Sequence, residues 1–210
     1  DYLGQGGEYI EEALKYAAME PVTPWMGADT ASHYQWYPFV NLGHYFLAQN
    51  AKGAERDTVI AYMKKGLEGI LKRGETNPFL NGVPFIWCSN NLVAAAITQC
   101  RLYQQLTGSD EFAEMEASLR DWLFGCNPWG TSMIVGLPSW GDYPEDPHSS
   151  YRDGGKKLAA TPGGLVDGPV YSTIYNGLIG IRLSKEDVYA PFQTTLCVYH
   201  DDYGDYSTNE

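Results

Sequence analysis

Apolar positions recur at helical spacing through the first part of the chain. From Glu8 to Met19, the residues Tyr9, Ile10, Ala13, Leu14, Ala17 and Ala18 form one stripe, because side chains three and four apart share a helix face. Pro21 and Pro24 stop it, since proline cannot donate to a helix interior. A second helix is predicted from about Pro38, a residue suited to the first turn, with Phe39, Leu42 and Phe46 on its buried face. A third runs from about Arg56 to Lys72 and buries Val59, Ile60, Met63, Leu67, Ile70 and Leu71. Gly74 stands where a helix C-cap is expected. A fourth follows Ser89 and Asn90, either of which suits a cap. It carries Leu92, Val93, Ala96, Ile97, Cys100 and Tyr103 and ends at Gly108. A fifth starts at Ser109, with Glu111 in its first turn and Phe112, Met115, Leu119 and Leu123 on its apolar face.

After Gly125 the texture changes. Residues 125–169 hold many Gly, Pro, Ser and Asp, and their apolar runs are too short for helices. Long loops in compact domains are usually functional or disordered, and Trp129 and Trp140 argue for order. A sixth helix is predicted over Val170–Arg182, with Ile174, Leu178 and Ile181 inward, before a polar, acidic tail from Leu196 to Glu210. With no linker and no strong strand, residues 1–210 read as one all-α domain, a toroid or a bundle.

Composition narrows the partners. Fourteen basic against 26 acidic residues give a net charge of −12, which repels phosphate backbones and anionic lipid. Nucleic acid and membrane surfaces are therefore poor partners, and no apolar run is long enough to span a bilayer. Neutral polymers are unaffected by this field. Sixteen Tyr and 6 Trp suit sugar rings, whose C–H faces pack on aromatic faces. Cys88, Cys100, Cys126 and Cys197 are far apart in sequence. They form no zinc spacing and read as free buried thiols. There is no nucleophile elbow and no phosphate-binding glycine loop.

Three segments carry a resemblance. Phe124-Gly-Cys-Asn-Pro-Trp-Gly-Thr-Ser132 follows the fifth helix. Pro144-Glu-Asp-Pro-His148 precedes Gly163-Gly-Leu-Val-Asp-Gly-Pro169. The chain closes on Tyr199-His-Asp-Asp-Tyr-Gly-Asp-Tyr-Ser-Thr-Asn-Glu210. In this order and spacing they resemble the C-terminal half of the catalytic domain of family-nine glycoside hydrolases, the cellulases and endo-β-glucanases. Tyr37–His44 and Trp87–Asn91 resemble the family less specifically. The resemblance implies part of an (α/α)6 toroid with a cleft at one end, built by residues 125–169 and 196–210. It also implies inverting hydrolysis of β-1,4-glucans by a secreted, periplasmic or surface-attached bacterial enzyme.

Inverting hydrolysis needs an acid that protonates the leaving oxygen and a base that activates water on the opposite face, about 6.5–9.5 Å apart. By resemblance Glu210 is the general acid, Asp201 and Asp205 orient neighbours, and His148, Trp87, Tyr206 and Asn91 contact substrate. His33, His44 and His200 are left as structural, and Trp129 as a pin for its loop. The base belongs to an upstream Asp-Ala-Gly-Asp-like motif, which Gly27-Ala28-Asp29 does not match. The chain is thus expected to be a fragment that works with the remaining N-terminal half of its domain. No cofactor is required by this chemistry; calcium can accompany the family, and no EF-hand spacing names its ligands.

Departures are specific. Ser149 and Ser150 stand where the family usually has His and Arg, and Tyr203 where it often has Arg. Cys88-Ser-Asn-Asn91 replaces a Gly-Ser-x-Arg-Tyr segment. These mark a divergent bacterial subgroup. Read by itself, the acidic tail is a solvated run. The competing functional class is a non-catalytic sugar-binding module or a structural toroid, in which Glu210 is an ordinary exposed acid.

Overall fold

The computed structural model describes residues 6–28, 39–152, 156–157 and 161–209. The chain is mostly helical and divides into two compact units. One comprises residues 1–83 and 95–117, the other 84–94 and 118–210.

In the first unit, α1 (Gly6–Met19) and α2 (Pro24–Gly27) precede α3 (Leu42–Asn50) and α4 (Gly53–Gly74). Val59, Met63, Leu67 and Ile70 are fully buried along α4, as its stripe predicts, while Ile60 and Leu71 are half-buried. Val59 joins Ala17, Leu47 and Ala48 in a cluster that Ile10, Ala13, Leu14 and Ile60 flank. The stripe expected on α3 is displaced. Leu42 and Phe46 are exposed, and Leu47 and Ala48 face inward instead. The start expected at Pro38 lies outside the described residues, as does His33.

Gly74 is the last residue of α4 rather than a left-handed cap, and Glu75 follows it in a right-handed conformation. Its role is close approach: a Cβ there would lie 2.5 Å from the Leu80 carbonyl oxygen. Arg73 ties this end together, its guanidinium donating to the carbonyls of Trp25, Met26 and Gly82 at 2.8–3.1 Å.

Helix α5 (Ser89–Thr107) ends before Gly108, whose φ of +71° favours glycine. Leu92, Val93, Ala96, Cys100 and Tyr103 are buried along it. Ser89 and Asn90 lie inside the helix and do not cap it. Ser89 Oγ donates to the Pro169 carbonyl and Asn90 Nδ2 to the Val166 carbonyl, at 2.7 and 2.9 Å. Helix α6 (Ala113–Leu123) begins after a turn in which Ser109 Oγ accepts the Glu111 N–H. Phe112, Met115, Leu119 and Leu123 are buried as predicted, and Trp122 with them.

The second unit is built around aromatic rings. Phe85 stacks on Trp122 at 5.9 Å, Trp122 meets Trp129 edge-on at 6.1 Å, and Trp129 meets Tyr199 at 5.6 Å. Trp129 Nε1 donates to Gln193 at 3.1 Å, so this ring does pin its loop. Trp140, expected to help order the same region, is 88 % exposed.

The helix predicted over Val170–Arg182 shrinks to one turn, α7 (Ser172–Tyr175). Val170–Tyr171 forms β3 and pairs antiparallel with β4 (Cys197–Val198), while β1 (Tyr151–Arg152) pairs with β2 (Lys156–Lys157). Two influences override the helical stripe. The strand pairing engages the backbone from the Val170 end, and Ser172 extends it through its N–H to Leu196 and its hydroxyl to the Thr194 carbonyl. Gly177 and Gly180, the latter at φ +94°, break the other end.

Of the four free cysteines, Cys100 and Cys197 are buried as expected, but Cys88 is only half-buried and Cys126 is exposed. Among the described residues no helix is long and apolar enough to cross a membrane.

Candidate active site

The candidate residues other than Glu210 all belong to the described part of the second unit; Glu210 itself lies outside the described residues. Residues 199–209 form a tight turn rather than a solvated tail. His200, Asp201, Asp202, Asp205, Ser207, Thr208 and Asn209 are all buried. A buried carboxylate is tolerated only when donors satisfy it, and each of these is satisfied.

Asp201 accepts the backbone N–H groups of Glu145 and Asp146 at 3.0 and 3.1 Å and the Asn209 amide at 2.9 Å. One side chain thereby fastens the Pro144–His148 segment to the terminal turn. Lys185 lies 2.7 Å from Asp146 and 3.9 Å from Asp201. Partial burial works against the Lys185 charge, but these carboxylates hold its pKa above the ordinary lysine value. Asp202 accepts from Ser184 N–H and Oγ, Lys185 N–H and Gly204 N–H.

Asp205, with no exposed surface, accepts from His200 Nδ1 at 2.7 Å, from Ser207 N–H and Oγ, and from Thr208 Oγ1. Burial alone pushes its carboxyl up; the donations from His200 and Ser207 outweigh that and hold it below the ordinary Asp value. Tyr175, whose ring lies 4.9 Å from the His200 ring, is pushed up to about 12 by burial and by Asp205, Asp187 and Asp202.

His148 and Tyr206 come together, their rings meeting edge-on at 6.5 Å. The His148 N–H donates to the Asn209 carbonyl at 2.8 Å. Its Nδ1 sits 2.6 Å from the Tyr203 carbonyl, an acceptor only. The proton is therefore on Nδ1, and in the neutral ring Nε2 is an acceptor. The Tyr206 hydroxyl donates to the Ile179 carbonyl at 3.1 Å. Of the substituted positions, Ser149 is exposed, Ser150 buried and Tyr203 half-buried.

Trp87 is half-buried at the start of α5, and Asn91 is exposed in its first turn. The segment 163–169 links this helix start to the terminal turn. The Cys88 thiol donates to Asp167 at 3.2 Å, and the Gly168 N–H donates to the Thr208 carbonyl at 2.9 Å. Cys88 stands where the resemblance expects glycine, and its φ of +59° is one that favours glycine. A Cβ on Gly168 would lie 2.4 Å from the Asn90 amide, so this approach requires glycine.

Two contributors escaped the sequence reading. Asp187 lies 3.5 Å from His200 Nε2 but sits in a Ser-Lys-Glu-Asp run that reads as a solvated turn. Gln193 donates to Asp187 and to the Tyr199 carbonyl, and no local pattern marks it. Among the described residues no group of three or more His, Cys, Asp or Glu is arranged to hold a metal ion. The donors on Asp201, Asp202 and Asp205 are supplied internally, so calcium ligands are not assigned to them.

The loops of the second unit thus gather internally satisfied carboxylates, two histidines and aromatic rings around the terminal turn. The sequence model of glycosyl hydrolase family 9 matches residues 2–210, and the chain belongs to that family. No curated protein matches it.

Solved structures share the fold, that of (α/α)6-toroid enzymes of which this chain has a part. GH family 9 endoglucanase J30 is 20 % identical with a TM-score of 0.61, covering 93 % of this chain and 35 % of that one. A thermostable endoglucanase (D468A) from Alicyclobacillus acidocaldarius is 20 % identical with a TM-score of 0.62, covering 96 % of this chain and 39 % of that one. AaCel9A in complex with cellobiose-like isofagomine is 20 % identical with a TM-score of 0.60, covering 95 % and 39 %. The chain thus spans little more than a third of the length of these enzymes.

Proposed function

We propose that this chain is the acid-bearing part of an inverting hydrolase of β-1,4-linked glucans, with Glu210 as the proton donor. The observation that supports the reading is the anchoring of Asn209, the residue next to Glu210. Asn209 is fully buried, its carbonyl holds the His148 N–H, and its amide donates to Asp201. Asn209 is thereby held in place before substrate arrives, and preorganisation of that kind is what proton transfer exploits.

His148 Nε2 suits a sugar hydroxyl, and Trp87 and Tyr206 offer ring faces for pyranose C–H groups. Asn91 adds an exposed amide. The base that activates water on the opposite face belongs, in this reading, to the upstream part of the enzyme. Cellulose, mixed-linkage glucan and xyloglucan all present the required linkage. A polymeric substrate places the parent enzyme outside the cytoplasm: secreted, periplasmic or on the bacterial surface. The solved neighbours are endoglucanases, which agrees with this class of substrate.

The test is stereochemical. When the complete enzyme cleaves a β-linked oligosaccharide, proton NMR should show the α-anomer of the new reducing end first. A β-anomer appearing first requires double displacement and contradicts the scheme.

A further inference from the structure

We infer that the segment 176–185 builds one wall of the glucan-binding surface, and that Ile179 is its specificity-determining contact for a pyranose ring of the bound chain. This rests on the reading of His148 and Tyr206 as sugar contacts.

None of the motifs that carry the family resemblance includes this segment, and its apolar spacing predicts the end of a helix. It leaves α7 in successive turns instead. The N–H groups of Asn176, Gly177 and Leu178 donate to the carbonyls of Ser172, Ile174 and Tyr175 at 2.9, 3.0 and 3.1 Å. It then passes Gly180 at φ +94°.

The segment is fastened to the terminal turn along its length. The Tyr206 hydroxyl donates to the Ile179 carbonyl at 3.1 Å. A Cβ on Gly204 would collide with the Arg182 carbonyl oxygen, so the two backbones touch there. Asp202 accepts the Ser184 and Lys185 N–H groups at 2.8 and 3.1 Å. Lys185 reaches Asp146 at 2.7 Å, two residues before His148. The position of the Ile179 backbone is therefore set by the same turn that presents Tyr206.

The Ile179 side chain gains no burial from this anchoring. It is 91 % exposed, the most exposed large apolar side chain among the described residues. Isolated apolar side chains on a surface are ordinary, but this one has specific company. Its own carbonyl holds Tyr206, also exposed, and the Tyr206 ring meets His148 edge-on at 6.5 Å. An aliphatic side chain, an aromatic ring and an imidazole on one anchored surface match the chemistry of a pyranose. The first two suit its C–H face, and the imidazole suits a hydroxyl. Branching at Cβ leaves Ile179 few rotamers, so little freedom is lost when a sugar packs on it.

The experiment compares the complete enzyme with Ile179→Ser and Ile179→Val on cello-oligosaccharides. Only the Ile179 backbone is bonded to the turn, so the urea midpoint should not move in either variant. In Ile179→Ser, kcat/KM should fall about 10-fold, carried by KM with kcat little changed. Ile179→Val should recover most of the loss. An unchanged kcat/KM in Ile179→Ser overturns the contact. So does a lowered midpoint, which would mean that the rest of the enzyme, rather than substrate, covers this side chain. A fall carried by kcat alone also overturns it. Wild type that hydrolyses no β-1,4-glucan defeats the proposed function and this inference with it, whereas wild-type turnover beside an unaffected variant defeats this inference alone.

Discussion

Asp201 shows how one side chain can fasten two distant segments. Its donors come from Glu145, Asp146 and Asn209. Asp201→Asn turns one acceptor oxygen into a donor that meets N–H groups. Each buried group left unsatisfied costs about 1–3 kcal/mol, so the denaturation midpoint should drop and hydrolysis should drop with it. Wild-type activity in this variant would remove Asp201 from the site.

Asp205 makes stability depend on pH. Its folded pKa lies below the ordinary value. The resulting stabilisation is therefore full above the usual Asp range, near pH 4, and is lost as pH falls through the lower folded value. Asp205→Asn should be less stable than wild type at neutral pH, and the gap should narrow on acidification; thermal melts at pH 7 and about pH 3 measure it. A gap that widens in acid would contradict the assignment.

The motif named Asp201 and Asp205 from the sequence, but not their burial. A run of acids is usually solvated; here Asp201 and Asp202 are satisfied by donors from residues 145, 146, 184 and 185, distant in sequence, and Asp205 by His200, Ser207 and Thr208 of its own turn. Cysteines carry the same lesson. Burial pushes the Cys100 thiol up to about 12 and Cys197 up to about 11, while Cys126 is exposed. A thiol reagent at pH 8 should modify Cys126 in the native protein and reach Cys100 and Cys197 only on unfolding. Rapid native labelling of Cys100 would contradict its burial.

At the scale of elements, helices with a strong apolar period were legible, and those decided by distant partners were not. Four buried residues at helical spacing define α4, and the stripe on α5 predicts its buried face. The stripe over 170–182 is as regular, yet pairing of Val170 and Tyr171 with Cys197 and Val198 wins, and nothing local announces that strand. Helix α4 also depends on a glycine that periodicity cannot see. A Cβ on Gly82 would lie 1.8 Å from the Ile70 carbonyl oxygen and 2.7 Å from the Gly74 nitrogen. Both are backbone atoms, so no side chain can yield. Gly82→Ala should destabilise the protein by about 3 kcal/mol through forced backbone movement, read as a lower urea midpoint. A neutral result would mean the segment 80–83 does not pack on α4 as described.

Over the whole molecule, family membership and the helical class were legible because the three motifs keep their order across residues 124–210. The geometry of the site was not, because it depends on which loops reach the terminal turn. Ser149, Tyr203 and Asn91 stand where the resemblance leads one to expect other residues. His148 and Tyr206 come together regardless of them, and Asn209 is held by Asp201 and His148.

One substitution in the complete enzyme tests Glu210 as proton donor most directly. Glu210→Gln keeps size and hydrogen bonding but removes the transferable proton. Turnover of unactivated β-1,4-glucan should fall by about 10² to 10⁴-fold. Substrates with good leaving groups should lose far less, and KM should change little. Weakened binding with turnover intact would make Glu210 a recognition residue and contradict the mechanism while leaving the fold unchanged.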